Sequence, residues 1–235
     1  MSTLRVCFIS DTHTYHKSVE IPECDILIHS GDATYRGLKD EMESFGQWFR
    51  ELPVKHKVFV PGNHDKSTEF DLANALSWLS FNNDLKQFGE CYYLHQNWAI
   101  IEGMVIYGDG SQPRFGHGWA HNVDRGEPIA EVWAKIVDNV NILVTHGPVH
   151  GVLDLTFYGQ ESVGCEELKK RIGQLDNMFI HSCGHIHEAY GTSRKGDKLY
   201  VNASICTLQY NPTNKPILVD VWQDDLSKWR FRVVK

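Results

Sequence analysis

The stretch Leu4-Arg5-Val6-Cys7-Phe8-Ile9-Ser10-Asp11-Thr12-His13 decides how this chain is read. A short apolar run, rich in β-branched and aromatic side chains, ends directly on a carboxylate and an imidazole. Such a run predicts a buried strand that stops at a pair of ligands. In extended backbone residues i and i+2 share a face, so Asp11 and His13 are expected to reach one ion together.

Working outward, the same design recurs four times. Residues 25–29 carry the apolar run Ile26-Leu27-Ile28 and lead to Gly31-Asp32, and residues 57–60 lead to Gly62-Asn63-His64-Asp65. Residues 141–144 lead to Thr145-His146-Gly147, and residues 178–180 lead towards Gly184-His185-Ile186-His187. One histidine pair would mean little in a chain with 13 histidines. Five motifs, each after an apolar run and none inside a helical pattern, point to one site, because ligands of open α/β sheets bind beyond the carboxyl ends of strands. The glycines at 31, 62, 147 and 184 suit sharp turns or a close backbone approach.

Helical patterns lie between these strands. Leu38, Met42, Phe45, Phe49 and Leu52 recur at helical spacing and predict an amphipathic helix over 38–52, with Asp40, Glu41 and Glu43 on its solvated face. A helix is expected over 68–79, with Phe70, Leu72, Ala75, Leu76 and Leu79 as its apolar members. Further helices are expected over 127–137 and 165–172. Strands are expected at 98–101, 104–107, 199–201, 217–222 and 229–233, with Gly103 in a tight hairpin. Strands alternating with helices, then hairpins, suggest an α/β fold of two face-to-face sheets with helices outside.

Composition narrows the classes. The chain has 235 residues and no Pro/Ser-rich linker, so residues 1–235 read as a single domain. A net charge of −7 argues against a nucleic-acid surface built from bulk positive charge. No stretch is long enough to span a bilayer and no signal peptide is visible, so a cytoplasmic location is expected. Cys7, Cys24, Cys91, Cys165, Cys183 and Cys206 show no Cys-x-x-Cys spacing and read as reduced thiols.

The ligand types set the chemistry. Carboxylate, amide oxygen and imidazole together suit intermediate divalent ions, with Mn²⁺ the first choice and Fe²⁺, Zn²⁺, Co²⁺ or Ni²⁺ compatible. Without thiolates in the motifs, a closed structural zinc site fits poorly. Two ions bridged by a carboxylate clamp a phosphate and lower the pKa of a bound water, which supplies hydroxide to phosphorus. His64, next to Asn63, is placed to give a proton to the departing oxygen, and Asp65 to orient that imidazole.

The motif series D-x-H, G-D, G-N-H-D, H and G-H-x-H resembles that of the calcineurin-like metallophosphoesterase superfamily. The resemblance implies an α/β/β/α sandwich. It also implies that Asp11, His13, Asp32 and His187 hold one metal, that Asp32, Asn63, His146 and His185 hold the other, and that His64 and Asp65 are catalytic. A closer similarity, to the metallophosphoesterase-domain-containing branch, runs through Ile9 to His13, Thr145 to Pro148, Val163 to Cys165, His187 to Gly191, Asn202 to Thr207 and Asn211 to Asn214. That branch is linked to cyclic-nucleotide phosphodiesterase activity. Some of its members lack the first histidine of the last motif and are impaired as enzymes. This chain keeps His185 and carries Asp65 where many relatives have Glu.

Substrate choice is less marked. The loop 112–125 either closes over a substrate, with Phe115 or Trp119 stacking on a base and Arg114 meeting a phosphate, or packs its aromatics on the core. Asn202 begins a segment that either approaches the site or anchors the second sheet. Three readings follow: a dinuclear phosphodiesterase for small, cyclic nucleotides with phosphomonoesterase side activity; a nuclease or protein phosphatase with the same metals; and a metal-dependent nucleotide-binding protein with little turnover. The sequence does not fix the oligomeric state.

Overall fold

In the computed structural model, which describes residues 3–81, 89–158 and 160–234, alternation along β1 (Leu4–Ile9) divides its side chains between two cores. Val6 and Phe8 face a second sheet, while Cys7 and Ile9 face helices. β1 lies inside a six-stranded sheet ordered β14 (Trp229–Val233), β13 (Ile217–Gln223), β1, β2 (Ile26–His29), β3 (His56–Phe59) and β4 (Glu90–Tyr93). The strands β1 to β4 are parallel, β13 pairs antiparallel with β1, and β14 pairs antiparallel with β13. The second six-stranded sheet is ordered β11 (Gly191–Lys195), β12 (Lys198–Asn202), β10 (Ile180–Cys183), β9 (Ile142–Thr145), β6 (Met104–Asp109) and β5 (Asn97–Ile101). Its four inner strands are parallel and its two edges antiparallel.

The sheets share a core of Val6, Phe8, Ile28, Ile106, Val144 and Val201 among others. Outside the first sheet lie α1 (Lys39–Glu51), α2 (Ser67–Phe70) and α3 (Leu72–Leu79). Phe45, Phe49, Ala75 and Leu79 from α1 and α3 pack on Leu27 and Phe59. Outside the second lie α4 (Glu127–Trp133) and α5 (Glu166–Ile172), with Ile129, Trp133, Leu168 and Ile172 packed on Tyr107, Leu143 and Tyr200. The fold is therefore the expected α/β/β/α sandwich. Each fully buried large side chain contributes about 1.5–3 kcal/mol of transfer free energy to these three cores.

Several local expectations need correction. The helix expected over 68–79 breaks at Asp71, whose φ of −153° and ψ of 56° are not helical. Its first part is tied to another loop, because Glu69 accepts the His121 amide and Thr68 bonds the His121 ring. Phe70, Leu72 and Leu76 consequently stay exposed. The helix expected to reach 137 ends as α-helix at Trp133, and tighter turns carry the chain to buried Ile136. The loop 112–125 contains a small parallel pairing of β7 (Gln112–Pro113) with β8 (Asn122–Val123). At the β5–β6 hairpin both Glu102 and Gly103 have positive φ, the signature of a two-residue type I′ turn. All six cysteines are free thiols. Among the described residues no helix is long and apolar enough to cross a membrane.

Candidate metal centre

Five strand ends meet on one rim of the sandwich. β1 and β2 are continued past their ends by Asp11 N–H donating to Gly31 O (2.8 Å) and His13 N–H to Asp32 O (3.0 Å). In the second sheet Gly184 N–H donates to His146 O (3.0 Å). Ser30 and Ser182 share a hydroxyl–hydroxyl bond of 2.8 Å that joins the two sheets under the site.

The ligand pairs are not extended, contrary to the i, i+2 expectation. Asp11, His13, Asp32 and His185 all have left-handed backbone, with φ of 51°, 40°, 57° and 67°. Convergence comes from loops that turn sharply beyond the strands, and such strained positions gather at functional sites. Two glycines explain the tightness. A Cβ at Gly184 would collide with the Ser10 hydroxyl and the Asp11 carboxylate, and one at Gly62 with the Asp32 carboxylate.

The side chains form a continuous cluster. His187 Nε2 lies 3.3 Å from Asp11 Oδ1 and 3.2 Å from His13 Nε2. His13 Nε2 is also 3.9 Å from Asp32 Oδ2. On the other side of Asp32, His146 Nε2 lies 3.3 Å from Asp32 Oδ2 and 3.0 Å from Asn63 Oδ1. His185 belongs to the same group as Asp32 and His146, and its backbone N–H donates to both Asp11 oxygens at 3.1 Å. Asp32 thus lies between two clusters, one with Asp11, His13 and His187, the other with Asn63, His146 and His185.

Donor chemistry shows that these residues fit cations. His13, His146 and His187 each turn Nδ1 towards a backbone carbonyl, of Thr34, Ser30 and Thr207, at 3.2, 2.9 and 2.9 Å. A carbonyl only accepts, so Nδ1 carries the proton and a neutral ring offers a bare Nε2 to the cluster. His13 and His187 would then face each other with two lone pairs, as would His146 and the Asn63 carbonyl. A positive charge between them removes the repulsion. Without a metal the charge is a proton: burial disfavours it on His146, but the adjacent Asp32 outweighs burial and holds that pKa at about 9. His187 is likewise raised against burial by Asp11. Burial pushes His13 down to about 4 and His185 to about 3, so both stay neutral. Burial also works against charge on Asp11 and Asp32, and the imidazoles of His187 and His146 keep both below the ordinary carboxylate range.

His64 stands at the edge of the cluster. Its Nδ1 bonds Tyr35 O at 2.7 Å, its Nε2 is 4.0 Å from Asp32 Oδ2, and its ring packs against Trp119 at 4.4 Å. The expected pairing with Asp65 is absent. Asp65 is fully buried and accepts from Ala33 N, Thr34 N, Thr34 Oγ1 and Gly62 N, which ties the Asp32 loop to the Asn63 loop. Burial, with the nearby charge of Asp32, raises its pKa to about 6 despite those bonds.

The substrate-side expectations divide. Phe115 packs on His185 at 4.8 Å and on Trp119 at 6.2 Å, so these two aromatics do border the cluster. Arg114 instead pairs with Asp124 and reaches Asn122 O. Asn202 is fully buried, donating to Ile186 O at 2.8 Å and accepting from Ser204 Oγ at 2.8 Å, so it braces the last motif. Two bordering residues went unread in the sequence: Tyr210, on His13 at 4.8 Å and His187 at 5.2 Å, and Tyr35, on His64 at 5.6 Å. Tyr35 sits three residues after Asp32, and Tyr210 has a positive φ that no sequence pattern marks.

Fold and donor set together define a metal-dependent phosphoester hydrolase with a divalent metal centre. The comparisons are more particular: residues 4–189 match the model of the calcineurin-like phosphoesterases, and the chain belongs to that family. It is 36% identical over 230 residues to human metallophosphoesterase domain-containing protein 1, covering 92% of this chain and 70% of that protein. It is 31% identical over 229 residues to a UPF0046 protein of Caenorhabditis elegans, covering 95% and 77%. One solved structure shares the fold with a TM-score of 0.70 at 14% identity, over the full length of both chains.

Proposed function

We propose that the chain is a dinuclear phosphodiesterase for small nucleotides, cyclic nucleotides foremost, with phosphomonoester hydrolysis as a side activity. Asp11, His13, Asp32 and His187 would hold one ion and Asp32, Asn63, His146 and His185 the other, with Mn²⁺ the first choice. When bound, such a pair clamps a phosphate and lowers the pKa of a water. The observation that carries the reading is His64: its Nδ1–H is fixed on Tyr35 O, which leaves Nε2 facing the cluster from outside the ligand set. A departing ribose oxygen needs a proton at such a point, and general-acid catalysis is typically worth about 10²–10⁴-fold. Phe115 and Trp119 wall the same flank. The acidic net charge of −7 weighs against a polymeric nucleic-acid substrate.

The test is a panel of 2′,3′- and 3′,5′-cyclic nucleotides, nitrophenyl phosphates, single-stranded DNA and a phosphopeptide, each with several added metals. His64→Ala is expected to keep its metals yet lose far more activity on cyclic nucleotides than on bis-nitrophenyl phosphate, whose leaving group needs no proton. Equal losses on both, at unchanged metal content, would remove His64 from the general-acid role. Turnover of DNA or phosphopeptide above all nucleotides would favour the nuclease or phosphatase reading, and binding without turnover the nucleotide-binding one.

A further inference from the structure

A cavity of about 370 Å³ opens beside the cluster and shares His187 as part of its wall. Phe157, Tyr158 and Leu208 give it apolar surface, and Glu188 and Gln209 give it polar groups. Phe157 and Tyr158 are 69% and 85% exposed and their rings stand at 87° to each other with centroids 5.5 Å apart, so a planar ligand stacks on one of them, and Tyr158 is the more open. Trp119 on the opposite flank is not: Lys66 Nζ lies over its ring at 4.6 Å and His64 packs on it at 4.4 Å.

Glu188 sets the identity of the ligand. One of its oxygens, Oε1, accepts Phe157 N–H at 2.8 Å, and the other has no partner among the described residues. An ionised carboxylate is acceptor only, and its hydrogen bonds are stronger than neutral ones. A base that stacks here gains hydrogen bonds from this exposed carboxylate only where it presents donors. Guanine offers N1–H and N2–H₂ side by side. Adenine and cytosine place an acceptor next to their amine, and uracil flanks its one N–H with carbonyls that a carboxylate repels.

We propose that this cavity is a guanine pocket, in which the base stacks on Tyr158 and donates to Glu188 while its phosphate lies at the cluster. The proposal rests on the nucleotide reading above and names the base. It also moves the base from the Trp119 flank to the His187 flank.

Equilibrium binding of GMP, IMP, AMP, CMP and UMP to the metal-loaded full chain, measured by calorimetry, tests it without turnover. GMP is expected to bind about tenfold or more tighter than AMP, the scale of one good two-bond base contact. IMP, which lacks the 2-amino group, should bind several-fold weaker than GMP. In Glu188→Gln the amide oxygen stays with Phe157 N–H and the NH₂ turns to the base, so the GMP-to-AMP ratio should collapse or invert. Tyr158→Ala should weaken GMP and AMP together and leave their ratio in place, because stacking does not read base edges. A wild-type ratio within about twofold, IMP equal to GMP, or a ratio unmoved by Glu188→Gln would each overturn the pocket; the first two need no variant to fold. Hydrolysis of bis-nitrophenyl phosphate, followed in parallel, separates the two claims. No diester turnover with GMP preference intact defeats the phosphodiesterase reading alone, and turnover without base preference defeats the pocket alone.

Discussion

The two sheets approach the metal centre with matched frames and unmatched charges. Below the rim they are near copies. In the first, His29 Nε2 bonds Thr12 Oγ1 at 3.0 Å; in the second, His181 Nε2 bonds Thr145 Oγ1 at 2.8 Å. Each threonine hydroxyl donates onward, to Ala33 O or Gly147 O, so each imidazole must be the donor and keep a bare, buried Nδ1. At the rim the likeness ends. The first sheet brings Asp11, Asp32 and Asn63 along with His13 and His64, whereas the second brings only His146, His185 and His187. All the anionic donors come from one side and the cross-sheet partners are imidazoles, so the first sheet sets the charge of the centre and the second tunes it with protons.

The largest effect should come from breaking the anionic side. Asp32→Ala withdraws the carboxylate proposed to serve both ions, and metal analysis should find both lost. Metal-ion catalysis is worth several kcal/mol, so activity should fall by at least about 10³-fold. His185→Ala removes one neutral donor and should retain one ion. Equal metal loss in the two variants would erase the asymmetry.

Proton exchange gives the next effect. His146 titrates near 9 in the metal-free chain and His187 is also raised, so cation binding must displace protons. Metal affinity should therefore climb with pH up to about 9, by about tenfold per pH unit for each proton released. Titration calorimetry in buffers of different ionisation enthalpy counts those protons, and a count of zero at pH 7.5 would contradict the raised pKa of His146.

Asp65→Asn probes the frame on the first side. An amide cannot accept from all four donors that now meet the carboxylate, and each buried donor left unmatched costs about 1–3 kcal/mol. The variant should melt lower by roughly 2–4 °C per kcal/mol lost. If it kept its melting temperature and shared the substrate selectivity of His64→Ala, the pairing first expected from the sequence would be reinstated.

The last effect concerns the matched histidines. Burial pushes His29 and His181 down to about 3, whereas the unfolded chain protonates them near 6.5. Below pH 6.5 the unfolded state binds protons that the folded state refuses, so stability falls as pH drops from there to about 3, by about 1.4 kcal/mol per pH unit for each ring. Denaturant unfolding at pH 7, 6 and 5 should show the decline, and His181→Gln should flatten it by one proton. A wild-type stability flat across that range would show that the rings charge in place.

How much of this was legible follows from what each element buries. The inner strands announced themselves because both faces are covered and nearly every residue is apolar. β11 is a charged, largely exposed edge, and β4 another edge that buries little, so neither carried a hydrophobic signal. The convergence of the cluster residues was readable because glycine, carboxylate and imidazole gather at strand ends. The partners of Asp65 were not, since its neighbours 31–34 reach it only through the packing of two separate loops. Asn202 and Arg114 were residue types that suit a phosphate, but tertiary hydrogen bonds claim them first.

The left-handed backbone at Asp11, His13, Asp32 and His185 also acts as a filter on which sequences can drift or be redesigned at this rim. Of the side chains that bind divalent ions, Asp, Asn and His are those that tolerate such φ values. Glu offers the same carboxylate at positions 11 and 32 but would carry both a longer reach and a backbone penalty. Variation in metal preference is therefore more accessible at Asn63, His146 and His187, where ordinary φ leaves the chemistry of the ligand open to change.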